Sequence, residues 1–326
     1  MDLIAGTAAD IGCLSLAAGR DVFRRAACRG SKNLLRVHAR SVSDRWWASV
    51  DRATRWWWRL SGREVDLDGG DGWLRAPIIA EPGVAVGDRW LAAEAAVGGG
   101  CVRTDPAAGL LPDMDALSGA QFDAARVHPG VRDFYEHTAR WRMEAWVQWS
   151  PILAPGGWLI SRMFGRRVGQ FALPVRPLDT ARGIDSRVET LTDRHGVHQG
   201  AAWLRTSRLT GEYIYSGFYR AARLPGSSQP SVHVSFPLPM GNVQVFLRPV
   251  NGPHGSLQLL SPTGSFGSEG CYVTVTDGGR TWAARIPIYE QFHVYRDGSD
   301  HLLRTDHVLR LRNLTALRLH YLLITG

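Results

Sequence analysis

The histidines and tyrosines of the C-terminal half are the residues whose placement lends itself to chemistry. In LLRTDHVLRLR, Leu303, Thr305, His307, Leu309 and Leu311 alternate onto one strand face, and Arg304, Asp306 and Arg310 onto the other. A histidine on an apolar face is either a core group holding a hydrogen bond or a polar group turned into a cavity. The next strand offers Leu317, Leu319, Tyr321 and Leu323 on its apolar face. Parity decides how the two strands meet. An odd-length loop, such as Arg312-Asn313-Leu314, sets His307 opposite Leu319 and Thr305 opposite Tyr321. A two-residue turn at Asn313-Leu314 would instead set His307 against His320 and bury Arg318, at a cost of roughly several kcal/mol. The expectation is His307 and Tyr321 pointing inward and His320 outward.

Tyr213, Tyr215 and Tyr219 alternate in TGEYIYSGFY, and His233 alternates against Val232 and Val234. Such residues inside an apolar barrel suit a site that holds a small hydrophobic molecule and orients it by a few polar atoms. They equally suit an ordinary amphipathic sheet. Were a reaction involved, it would be a cofactor-free cyclisation or isomerisation, which needs only a shaped substrate and an acid–base pair. The acid–base candidates are His307, His233 and Tyr321, with Glu136 and His137 from a covering helix. Tyr213, Tyr215, Trp141, Trp146 and Arg142 are the candidate ligand contacts.

Neither cofactor nor metal is expected. The chain carries no phosphate loop, dinucleotide fingerprint, zinc-protease helix or nucleophile elbow. Cys13, Cys28, Cys101 and Cys271 are scattered without ligand spacing. Asp193, His195 and His198 cluster in TDRHGVH, where hairpin-turn chemistry accounts for them. Asp179, Arg182, Asp185 and Arg187 alternate in sign at the helix-to-strand junction. They suit a mutual ion-pair network, or else an anion held at a barrel mouth.

These residues need a scaffold. From Arg187 the sequence runs at period two, with turn signals such as PLPMGN, DGG and RDGSD. Strands are expected at 187–193, 199–207, 211–221, 231–236, 242–249, 255–260, 270–276, 281–288, 290–296, 301–311 and 315–324. The GSFGSEG run is read as a hairpin loop. Connections this short demand antiparallel neighbours, and a long meander hides its edges by closing. The expected fold class is α+β: a helical N-terminal part packed on a C-terminal antiparallel meander β-barrel, calycin- or lipocalin-like, over residues 173–326. Residues 126–172 are read as two covering helices, the first over VRDFYEHTARWRMEAWVQW and the second over WLISRMFGRRVGQF. Residues 61–125 are read as a loop-rich connector with one helix near Trp90–Val97.

Residues 1–60 hold 11 basic and 5 acidic side chains of the chain's 38 and 30, so the basicity is concentrated there and the rest is nearly neutral. That argues against a nucleic-acid-binding body. Within this segment SDRWWASVDRATRWWWRL over 43–60 is an amphipathic Trp/Arg helix, suited to packing on the body or to peripheral membrane contact. The apolar stretch from Leu3 to Ala18 is a poor signal peptide and too polar to span a bilayer, which points to a cytoplasmic protein.

The stretch VHPGVRDFYEHT, the Trp-rich run after it and the ending FHVYRDGSDHLLRTDHVLRLRNLTALRLHYLL resemble conserved hypothetical proteins of high-GC bacteria. They are also distantly similar to the C-terminal part of YndJ-like proteins, over about residues 127–326. The resemblance implies a boundary near Arg126 and no activity, and it does not extend to the YndJ-like membrane spans.

Overall fold

The computed structural model describes residues 42–160, 168–170 and 182–326. One compact unit runs from Val42 to Gly326. In chain order its elements are α1 (Val42–Ser61), β1 (Arg63–Val65), α2 (Trp90–Val97), β2 (Cys101–Thr104), α3 (Pro129–Glu136), β3 (Trp141–Trp149), α4 (Ala154–Ile160), β4 (Ile184–Thr192), β5 (His198–Ser207), β6 (Tyr213–Ala222), β7 (Ser231–Leu238), β8 (Gly241–Asn251), β9 (Leu257–Leu260), β10 (Gly270–Asp277), β11 (Arg280–Ile286), β12 (Ile288–Arg296), β13 (Leu303–Leu311) and β14 (Leu314–Thr325).

The 14 strands of the described residues form one sheet, and every ladder between them is antiparallel. Each strand expected after Arg187 is present. The tight turns follow their chemistry. Asp277-Gly278-Gly279 joins β10 to β11 with both glycines at positive φ (56° and 77°), as a type I′ hairpin requires.

The expected closed meander is corrected: the sheet does not close. Its main path runs β2-β4-β5-β6-β7-β8-β9-β12-β13-β14-β3 and ends at β2 and β3. β3 lies alongside β4 without a hydrogen-bonded ladder. The cause is a fork at β8. Its first half, Gly241–Phe246, pairs with β10, and its second half, Arg248–Asn251, pairs with the short β9. One branch continues through β12 to β3; the other holds β10, β11 and β1. Pro287, which has no N–H to offer a ladder, separates β11 from β12 at the parting. β9 and β10 do not pair, so GSFGSEG is a crossover between branches rather than a hairpin loop.

A second correction concerns residues 126–172. Pro129 at the first turn and His128 Nδ1, accepting from the Gly130 N–H at 3.1 Å, start α3, but it stops at Glu136. From Trp141 the chain is strand β3, pairing with β14. Trp141, Met143, Ala145, Val147 and Trp149 face inward and Arg142, Glu144, Trp146 and Gln148 outward, a period of two that the aromatic spacing also fitted at 3.6. α4 covers the start of the second expected helix; most of that helix lies outside the described residues.

The inner face of the curved sheet and the segment before α3 share one core. Leu110, Leu111, Met114, Leu117 and Phe122 are at most 2% exposed and pack with Phe134, Trp203, Val234, Leu247, Leu319 and Leu323. Residues expected to form a mere connector therefore fill part of the interior. α2 lies at Trp90–Val97 and buries Trp90 in a separate cluster on the outer side of β4–β6. α1 joins the sheet through Arg59, which pairs with Asp277 and sits 4.7 Å from the Trp282 ring centre.

Candidate functional site

Strand parity turns a small polar group into the apolar interior. On β5, Ala201, Trp203 and Arg205 face inward while Ala202 and Leu204 join the outer cluster with Trp90. Arg205 is 2% exposed. Its guanidinium carbon lies 5.3, 5.2 and 5.1 Å from the ring centres of Trp203, Tyr215 and Tyr321. Nη1 donates to the Tyr215 hydroxyl at 3.2 Å. Among the described residues Nε and Nη2 are buried without a partner in hydrogen-bond geometry. Burial lowers the guanidinium pKa, and the neighbouring Tyr215 and Tyr321 oxygens raise it by more, so the net shift is upward.

Tyr321 lies opposite Thr305 across the final hairpin, and its phenol is pushed up to about 12 by burial, against the pull of Arg205. The Thr305 hydroxyl is buried and has no partner among the described residues. One step outward on β13, His307 lies opposite Leu319 and places Nε2 3.0 Å from Glu290 Oε2 of β12. The two side chains are 11% and 12% exposed, and the imidazole stacks on Phe292 at 3.8 Å between ring centres. Further out come half-buried Leu309 and exposed Leu311, where Pro287, Leu311 and Leu314 line a shallow apolar groove. The inner face of β13 thus grades from solvent, through a histidine–carboxylate pair, to a buried hydroxyl near Tyr321, one of the aromatic side chains around Arg205.

The register expected for the last hairpin is present, but its loop is not. β13 and β14 are joined by the two-residue turn Arg312-Asn313, and a β-bulge that leaves Ala316 of β14 unpaired between the Leu309–Leu317 and Arg310–Thr315 pairs restores the inward parity of His307 and Tyr321. His320 is on the other face, 2.7 Å from Asp306.

Other expected site residues do not converge there. His233 lies on the opposite face of β7 from Val232 and Val234, stacked on Phe246. Its Nδ1 accepts from Arg220 Nε at 3.1 Å, so Nε2 carries the proton toward Gln244 Oε1 at 2.8 Å. Gln244 donates on to Asn242 and to the Leu74 carbonyl. Burial, then the Arg220 charge, holds His233 well below the ordinary imidazole range. This is a satisfied structural network.

Glu136 is a brace, accepting from the Met114 N–H at 2.9 Å and Arg132 Nε at 2.8 Å. His137 caps Asp133 at 3.0 Å, and Trp141 is buried with its indole N–H on the same carboxylate. Trp146 and Arg142 point away from the interior on β3, Trp146 against His320. Tyr213 is separated from Tyr215 by a bulge in β6 and packs in the outer cluster, so the three tyrosines do not share a face. Asp193 accepts from the His195 and Val197 N–H groups of its turn. Among the described residues no group of three or more His, Cys, Asp or Glu could hold a metal. Asp185 pairs with Arg208, and Arg187 with Asp88 and Glu189; Asp179 lies outside the described residues.

Arg205 and Glu290 are the inward residues that sequence reasoning missed. The signal was present for Arg205: in AAWLRTS an arginine shares the apolar parity of Ala201 and Trp203.

Among the described residues no helix is long and apolar enough to cross a membrane. No family model matches the chain, and no solved structure matches it. The chain is 27% identical over 216 residues to the uncharacterised membrane protein YndJ of Bacillus subtilis (strain 168). That match takes in 65% of this chain, more than residues 127–326 contain, so it reaches into the segment before α3. This chain spans 37% of the relative's length, and on that evidence it is distantly similar to YndJ-like proteins of uncharacterised function.

Proposed function

We propose that the curved sheet binds a small hydrophobic molecule on its inner face. The carrying observation is the run of polar groups along β12–β14, from His307–Glu290 to Thr305 and Tyr321, turned inward among apolar side chains. Burying polar groups is costly, and a fold that needed only a core would fill these positions with leucine. The His307–Glu290 pair is the acid–base element such a molecule would meet, should the site carry out an isomerisation or cyclisation. The test is titration of the full chain with the neutral fluorophore N-phenyl-1-naphthylamine. Saturable enhancement near one equivalent, displaced by an apolar competitor, supports the reading. Absent or non-saturable enhancement removes it.

A second reading, peripheral membrane contact through α1, is favoured by one observation: Trp56, Trp57 and Leu60 are 59%, 60% and 63% exposed. Flotation with anionic vesicles, compared between the full chain and its Trp56→Ser/Trp57→Ser variant, tests it. Equal flotation of the two removes the helix as the contact.

A further inference from the structure

The three nitrogens of the Arg205 side chain, which carry five N–H donors, are used unequally. Nη1 donates to the Tyr215 hydroxyl and the Tyr321 hydroxyl also lies near the guanidinium, whereas among the described residues Nε and Nη2 have no acceptor in hydrogen-bond geometry. These two are the neighbouring nitrogens on the edge of the guanidinium plane, whose N–H bonds run parallel. That edge is the fork which matches the two oxygens of a carboxylate. The rings of Trp203, Tyr215 and Tyr321 surround the guanidinium and offset part of its desolvation, but a quadrupole does not neutralise a charge. Among the described residues the groups that act on the Arg205 charge are phenols, and no carboxylate offsets it. Glu290, an acidic group on this face, is engaged with His307.

We propose that Arg205 seats the head of an amphipathic monocarboxylic acid, Nε–H and Nη2–H donating to its two oxygens, with the apolar body against the interior rings and leucines. This rests on the binding reading above and names the ligand class. The stoichiometry of charge selects a monoanion. A phosphate monoester would bring roughly two negative charges to a single buried cation and leave the excess uncompensated. Its tetrahedral oxygens would also meet a site with one planar fork. A neutral alcohol or ester would leave the charge as it stands.

The test titrates the full chain, stripped of bound lipid, with cis-parinaric acid and with its methyl ester, which share a fluorophore and differ at the head. The expected result is acid binding at least about tenfold tighter than ester binding, the order of a charge-assisted pair. Arg205→Met should abolish that preference while leaving ester affinity within about twofold. Arg205→Lys, which retains the charge without the fork, should lose most of the preference and guards against a Met variant that does not fold. Equal affinity of the wild type for acid and ester overturns the carboxylate assignment and leaves hydrophobic binding intact. A preference that survives in Arg205→Met overturns Arg205 as its source. Failure of both probes to bind overturns this inference together with the reading beneath it.

Discussion

Arg205 sets a stability problem as well as a recognition one. A buried cation without a counter-ion is destabilising in the empty protein, and replacing it by an apolar side chain of similar length removes the penalty. Arg205→Met is therefore expected to raise unfolding free energy by about 1–4 kcal/mol, read from the urea midpoint at constant m-value. A lower midpoint would mean that the surrounding rings depend on the cation for their packing. His233 makes the opposite kind of prediction. Its folded-state pKa lies well below the ordinary imidazole value, so the unfolded chain binds the extra proton. The stability it contributes is fully present above about pH 6.5 and is lost as the pH falls from there toward the folded pKa, by up to about 1.4 kcal/mol per pH unit. The less buried His198 and His293 are shifted in the same direction by burial and add to this window. Carboxylates lowered by their partners, such as Asp297 and Asp300, act only at lower pH. Thermal midpoints between pH 7.5 and 5 should fall for the wild type and fall less for His233→Gln, which retains an amide to bridge Arg220 and Gln244. A flat wild-type profile would contradict the buried neutral imidazole.

At the scale of the element, the closing hairpin shows what a sequence discloses and what it conceals. Inward placement of His307 and Tyr321 was legible, because one face of β13 and β14 is leucine-rich and any other register would bury Arg318. The loop was not legible, since a bulge changes parity without a residue type to announce it. The same blindness separated Tyr213 from Tyr215. β3 fits a helix as well as a strand, since Trp141, Ala145 and Trp149 repeat at four as well as at two, and only pairing with β14 chooses between the periods. The parity that singles out His307 applies unchanged to Arg205, which shares the inward face of β5 with Ala201 and Trp203. The turn itself is testable. Arg312 sits at φ 52°, the left-handed region that costs a non-glycine residue about 1 kcal/mol or more. Arg312→Gly should raise the thermal midpoint and Arg312→Val should lower it, with unchanged β13–β14 amide contacts by NMR. Equal midpoints for the two variants would show that the turn is not strained.

For the whole molecule, the eleven strands after Arg187 follow from local alternation, whereas the failure to close does not. Closure depends on which edges meet, and that is decided by the short β9, by Pro287 and by the two-sided use of β8. The buried segment from Leu110 to Phe122 was equally hidden, because its apolar residues follow no period and gain meaning only against the sheet.

The fork at β8 has a consequence for how the molecule comes apart. Gly241–Asn251 is the strip on which both branches are laid, so neither can stand when it is lost, while the β10–β11–β1 branch can detach and leave β12–β13–β14–β3 held to β8 through β9. Cooperative opening should therefore come in unequal pieces. In native-state hydrogen exchange the amides of β10 and β11 should share one sub-global opening energy, and those of β8 that remain paired with β7 should exchange only through complete unfolding. Identical exchange energies in β8 and β11 would make the fork a feature of shape alone.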